Sequence, residues 1–158
     1  MSVVVDYLSN KASEAEIAEH LLRCDTDFVP RLSGRVEIMD YAQKIANKAT
    51  TFEAWSGGTL IGLAAAYCNH QENRIAYITS VSVLKDWTCK GIAAVLVDRC
   101  IDHAQVYGMW LIRLEVAADN TPALKLYKGC GFVEDKANGP FVGMNLCLKN
   151  GEEYEQQT

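Results

Sequence analysis

The 158-residue sequence is short of most features that would mark it as anything but a folded domain. It has only three prolines and 11 glycines, too few for a collagen-like or low-complexity chain. Its longest apolar run, Leu60 to Cys68, falls far short of the roughly 20 residues that cross a bilayer. Positive charge is also scarce: 15 Lys and Arg stand against 20 Asp and Glu, for a net charge of −5. Counterion release on nucleic acid needs clustered basic residues, so neither nucleic acid nor a membrane is an expected partner. The stretch from Met1 to Asp6 lacks the basic and apolar segments of a signal peptide. None of the six cysteines forms a C-x-x-C pair, and several sit in apolar stretches such as Leu146-Cys147-Leu148. Reduced, buried thiols in a cytoplasmic protein are therefore expected. His20, His70 and His103 show no metal-ligand spacing; no metal is expected, and all three are assigned to the surface.

What is present is an average globular composition, 49% hydrophobic and 22% charged. Residues 1–150 are expected to form one domain, with 151–158 an acidic, frayed tail. Val3–Tyr7 reads as a strand. Ser13-Glu14-Ala15-Glu16 is a capping box opening a helix that ends near Asp25, and a second helix runs from about Val36 to Ala49. The period then changes to two: Phe52–Ser56 and Thr59–Asn69 flank a Gly57-Gly58 hairpin turn, and Arg74–Val83 follows. A helix over Gly91–Tyr107, a strand over Leu111–Val116 and a helix opening with Thr121 as cap and Pro122 in its first turn come next. Phe132–Glu134 and Val142–Lys149 close the sheet as an antiparallel pair. The order β-α-α-β-β-β-α-β-α-β-β predicts a mixed α/β fold around one sheet.

The segment from Ser80 to Ala94 runs from a strand through a short polar loop into a helix whose first turn is built from small residues. Unpaired N–H groups and the positive end of the macrodipole meet there, and Gly91, Ala93 and Ala94 leave room for a phosphate against the backbone. Lys90 is placed to add a charge-assisted bond. The chain contains neither G-x-x-x-x-G-K-[ST] nor G-x-G-x-x-G, which excludes the two commonest nucleotide loops. On this segment alone, small residues that merely let the helix pack on the sheet explain the pattern equally well.

A second segment changes the balance. Asn120, Ala123, Tyr127, Gly131 and Phe132 fit N-x-x-A-x-x-x-Y-x-x-x-G-F, and Thr88-Cys89-Lys90-Gly91-Ile92-Ala93 stands where an R/Q-x-x-G-x-G/A loop would follow a fourth strand. Together, over about Ile75 to Phe132, these resemble the GNAT family of N-acetyltransferases. The resemblance implies a three-layer sandwich, a mostly antiparallel sheet of six or seven strands with helices on both faces. It implies an acetyl-CoA co-substrate whose pyrophosphate sits on Thr88–Ala94 and whose pantetheine arm pairs with the backbone of Val81, Ser82 and Val83, with Asn120, Ala123 and Tyr127 completing the groove. The sequence departs from the family at Thr88, in place of Arg or Gln, and at Cys89, in place of glycine. Backbone amides carry most of such a cradle, so binding is expected to survive.

The resemblance also assigns roles. Val81 N–H polarises the thioester carbonyl, and Tyr127 protonates the departing thiolate, a task its reference pKa of about 10 permits at neutral pH. Glu115, whose spacing to Tyr127 resembles the base–acid pair of ribosomal-protein alanine acetyltransferases, is the expected base. The alternatives are a purely structural glutamate, or a relay water held by Tyr77 and Ser80. Acceptor choice in the family lies in the first two helices, their loop and the last two strands, here including Phe28, Pro30, Arg31, Leu32, Arg35 and Tyr41. A small-molecule amine such as an amino sugar or a polyamine is the expected acceptor, with a peptide amino terminus as the alternative. A non-catalytic acyl-CoA-binding module is the rival reading. A homodimer is a further expectation of the resemblance.

Overall fold

The computed structural model describes residues 4–68 and 73–149. The expected site of His70 and the acidic tail 151–158 lie outside the described residues. The elements run β1 (Asp6–Ser9), α1 (Glu14–Cys24), α2 (Ile38–Lys48), β2 (Thr50–Ser56), β3 (Thr59–Tyr67), β4 (Ile75–Val83), α3 (Ile92–Val106), β5 (Leu111–Ala117), α4 (Thr121–Gly129), β6 (Val133–Asn138) and β7 (Phe141–Cys147). The chain order is the one read from the sequence. A seven-stranded sheet in the order β1-β2-β3-β4-β5-β7-β6 carries helices on both faces.

The local physics of most elements is direct. Ser13 and Glu16 form the reciprocal capping box at α1. Gly57 and Gly58 both take positive φ, 56° and 78°, the conformation a tight two-residue hairpin demands of its central pair. β1 starts at Asp6, which leaves Val4 and Val5 outside it, and α4 is capped by Asn120, whose side chain accepts from Ala123 N–H, so Thr121 is its first helical residue and not its cap. Two apolar clusters hold the layers together. One joins α3 and Tyr127 to Phe52, Ile61, Ala64, Ile78 and Ile112; the other joins Ile17, Leu21, Ile38 and Ile45 of α1 and α2 to Leu63 and Ala65.

Two polar residues inside the fold organise it. Glu53, fully buried, accepts from the backbone N–H groups of Lys11 and Ala12, the Thr51 hydroxyl and the Trp55 indole, which pins the start of α1 to β2. His20 is 2% exposed, not a surface residue as expected. Its Nδ1 lies 2.9 Å from the Leu60 carbonyl, which can only accept, so Nδ1 carries the proton and Nε2 accepts from the Ser82 hydroxyl at 2.9 Å. α1 is thereby tied to both β3 and β4. The thiols are free but only partly as expected: Cys24 and Cys100 are buried, whereas Cys89 and Cys147 are exposed.

The sheet is not continuous in its middle. β4 and β5 are its parallel neighbours, and they pair only at Ile75–Leu111, Ala76–Ile112 and Tyr77–Arg113. Past Tyr77 the strands diverge. β4 also carries an extra residue there: Ala65 pairs with Ser80 and Ala66 with Ile78, leaving Thr79 as a bulge. Tyr41 of α2 holds that bulge, its hydroxyl 2.7 Å from both the carbonyl and the Oγ1 of Thr79.

Candidate active site

The divergence of β4 from β5 opens a cleft in which two cavities meet. The larger, about 440 Å³, runs between Val81–Val83, the loop Thr88–Gly91, the first turn of α3 and one side of α4. The smaller, about 130 Å³, lies on the α1–α2 side and is bounded by Phe28, Ser80, Glu115 and their neighbours. Val81, Asn120, Ala123 and Tyr127 line both. Because β4 beyond Tyr77 has no partner on its β5 side, its backbone amides on that edge are open to an extended ligand.

The larger cavity meets the amino terminus of α3, and that terminus has no side-chain cap. Ser13, Glu37 and Asn120 cap α1, α2 and α4; at α3 the capping position is Gly91, with φ 80°, and the N–H groups of Ile92, Ala93 and Ala94 make no protein hydrogen bond among the described residues. A helix start left open in this way, lined by small side chains, presents unpaired donors and the positive end of the helix dipole to the cavity. Cys89 also sits at positive φ, 62°, an unusual conformation for a residue with a Cβ. Thr88 spends its hydroxyl on the Lys85 carbonyl at 2.8 Å, closing the loop on itself.

Of the residues predicted for the coenzyme, Val81, Ser82, Val83, Thr88, Cys89, Gly91, Ile92, Ala93, Ala94, Asn120, Ala123 and Tyr127 all line this cavity. Lys90 does not; it borders a neighbouring cavity with Tyr7, Asp86 and Trp87. Trp87, Pro122 and Leu126 line the groove without having been singled out. They supply apolar wall, for which residue type alone carries no signal.

Tyr127, 8% exposed, stands at the junction. Its ring meets Phe132 edge-on at 5.9 Å, and its hydroxyl makes no hydrogen bond among the described residues. Burial above all pushes its pKa well above the ordinary phenol value, so it holds its proton throughout the physiological range. Glu115 and Ser80 face the smaller cavity with it. Ser80 Oγ is buried and without a partner among the described residues. Tyr77 stands beside this cavity instead of lining it; burial, then the Glu115 charge, raises its phenol. Phe28 lines the cavity, but Arg31 does not: its Nε donates to Asp25 at 2.9 Å, and Asp25 also accepts from Ser33 N–H and Oγ, which shapes the loop after α1. The Ser33 amide and, behind it, Arg31 hold the Asp25 carboxyl below its usual pKa.

The chain's sequence is matched by the family model of the acetyltransferase (GNAT) family over residues 15–132. The chain belongs to the GNAT family. Among curated relatives it is 31% identical over 81 residues to an uncharacterized N-acetyltransferase of Methanocaldococcus jannaschii, an alignment spanning 49% of this chain and 36% of that protein. The chain thus spans about a third of the length of that relative. The GNAT fold recurs in the ribosomal-protein-S18-alanine N-acetyltransferase of Escherichia coli, with a TM-score of 0.73 at 17% identity, covering 92% of this chain and 94% of that one. It recurs also in the paia N-acetyltransferase of Thermoplasma acidophilum, solved in complex with coenzyme A, with a TM-score of 0.69 at 17% identity, covering 94% of this chain and 100% of that one. No group of three or more metal-ligating side chains occurs among the described residues, and no described helix is long and apolar enough to cross a membrane.

Proposed function

We propose that this chain is an acetyl-CoA-dependent N-acetyltransferase that moves an acetyl group to the primary amine of a small molecule by direct attack in a ternary complex. The observation that carries the reading is the meeting of two cavities at one buried, protonated tyrosine, one of them running to an uncapped helix start. In this reading the Ile92, Ala93 and Ala94 amides grip the pyrophosphate, and the open edge of Val81–Val83 pairs with the pantetheine amides.

The chemistry needs four things of the protein. Val81 N–H polarises the thioester carbonyl, a donor that gains strength as negative charge develops on the oxygen. The junction holds amine and thioester within reach of each other, which removes much of the entropic barrier. Glu115 takes the proton that the amine must lose, directly or through a water on Ser80, whose orphaned hydroxyl supports the relay. As the amine nitrogen bonds to the carbonyl carbon and the carbon–sulfur bond breaks, Tyr127 gives its hydroxyl proton to the departing thiolate. The raised pKa of Tyr127 keeps the phenol protonated at neutral pH, at the cost of making it a weaker acid, so the transfer depends on the thiolate forming directly beside it.

A second reading, a peptide amino terminus as acceptor, is supported by the Glu115–Tyr127 pair bordering one cavity. The test is a panel of amino sugars, polyamines, amino acids and short peptides assayed for free-thiol release from acetyl-CoA. Turnover that Tyr127→Phe lowers by on the order of 10²-fold, with coenzyme A still bound, is the expected result. A protein that binds acetyl-CoA and acetylates nothing, with Tyr127→Phe indistinguishable from the parent, refutes the enzyme and leaves the binding module.

A further inference from the structure

The smaller cavity has a charge pattern that the general reaction does not call for. Arg35, in the loop before α2, lines it together with Asp27 and Glu115. The Arg35 guanidinium lies 5.7 Å from the centre of the Phe141 ring at the start of β7, so it spans the mouth from the α1–α2 loop to the β6–β7 hairpin. Yet it forms no ion pair with either carboxylate within 4 Å among the described residues, unlike Arg31, which is committed to Asp25. A planar guanidinium placed against an aromatic face and otherwise unpaired is a fork for an oxyanion. Inside the same cavity the buried Ser80 hydroxyl also lacks a partner, and a buried polar group without one costs free energy until something supplies it.

Resting on the acetyltransferase reading above, we propose that the acceptor is a small amine that also carries an oxyanion, a carboxylate or a phosphate. The amine end lies among Glu115, Asp27 and Ser80, with Tyr127 behind it, and the anionic end lies on Arg35. A polyamine would bring a second cation towards Arg35, which is unfavourable. The Phe141 ring gives the exposed Arg35 guanidinium a resting place, from which Arg35 selects the acceptor without entering the chemistry.

The experiment compares matched acceptors: a set of L-amino acids against their carboxamides, and O-phosphoethanolamine against ethanolamine, by thiol release at fixed acetyl-CoA. For the best acceptor the anionic member exceeds its uncharged partner at least tenfold in kcat/KM. Arg35→Gln brings that ratio close to one, mainly through KM, while Arg35→Lys retains part of it and the thermal shift given by coenzyme A is unchanged. Preference for the amino-acid set over O-phosphoethanolamine identifies the oxyanion as carboxylate, and the reverse as phosphate. Equal or better use of carboxamides, ethanolamine or spermidine overturns the proposal, as does Arg35→Gln leaving the ratio intact. Calorimetry with coenzyme A present separates the two claims. Binding of the anionic amine that Arg35→Gln abolishes, without turnover, keeps the anion site and removes acetyl transfer, whereas turnover of uncharged amines alone keeps the transfer and removes the anion site.

Discussion

Gly62 is the residue on which the proposed coenzyme groove rests, although it does not line it. It lies in β3 opposite Ala54 and Val83, and a Cβ built there would sit 3.0 Å from Ile92 Cγ2, 3.1 Å from Leu96 Cδ1 and 3.3 Å from Ala54 Cβ. Carbon atoms are comfortable at about 3.5–4.0 Å, so α3 must lift from the sheet by several tenths of an ångström to admit even a methyl group. Both contacts fall on the opening turns of α3, whose Ile92 and Leu96 are buried, so the lift is felt at the amides of Ile92, Ala93 and Ala94. Overpacking of this kind costs about 1–3 kcal/mol, and removing glycine from the unfolded chain returns about 0.4–1 kcal/mol. Gly62→Ala is therefore expected to lose about 1 kcal/mol and Gly62→Val about 3 kcal/mol, read from urea unfolding. Coenzyme A affinity, read by calorimetry, should weaken by on the order of tenfold in Gly62→Val. A Gly62→Val protein with the parent's unfolding midpoint and coenzyme affinity refutes the seat. One that is destabilised but binds as tightly as the parent refutes its link to the amide cradle.

Three further outcomes are expected. Burial lowers the pKa of His20 from 6.5, so well above pH 6.5 the residue is neutral in both folded and unfolded chains, and as the pH falls below 6.5 the unfolded chain takes up the proton first. Folding stability therefore falls with pH below 6.5, by up to about 1.4 kcal/mol per unit for this group. The advantage of the parent over His20→Gln in urea unfolding should shrink as the pH is lowered from 7 towards 5, and stay constant above pH 7. Cys89 holds a left-handed backbone at a cost of about 1–2 kcal/mol, so Cys89→Gly should unfold within about 1 kcal/mol of the parent, while Cys89→Val should lose more than that and bind coenzyme A more weakly by thermal shift. Tyr127→Phe should keep its fold and its coenzyme affinity while losing turnover, since the hydroxyl bonds to no described residue and its removal leaves no partner stranded.

Much of this was legible because the relevant signals are local. The capping box at Ser13, the paired glycines at 57 and 58 and the small-residue start of α3 each declare themselves within a few positions. β6 did not: all six of its residues are exposed, so it has no buried face and no alternation to read, and its length was underestimated. The insertion of β7 between β5 and β6 depends on long-range pairing that leaves no mark in either strand. His20 was misassigned because its partners, the Leu60 carbonyl and Ser82, are distant in the chain, and an imidazole on a helix looks the same whether it meets water or a carbonyl. Arg31 and Arg35 were indistinguishable by type and neighbourhood; only the fold commits the first to Asp25 and leaves the second on Phe141.

The three-pair seam between β4 and β5 gives this protein four sheet margins where most open sheets have two. The outer ones, β1 and β6, are short, and β6 carries Glu134, Asp135 and Lys136, the usual means of discouraging a stray strand from docking. The inner ones carry a single charge, Glu115 of β5, and the β4 side from Ile78 to Val83 carries none. In the acetyltransferase proposed above, a co-substrate lying along that β4 edge would cover the margin as a plug, and the chain without it should be the more prone to misassembly.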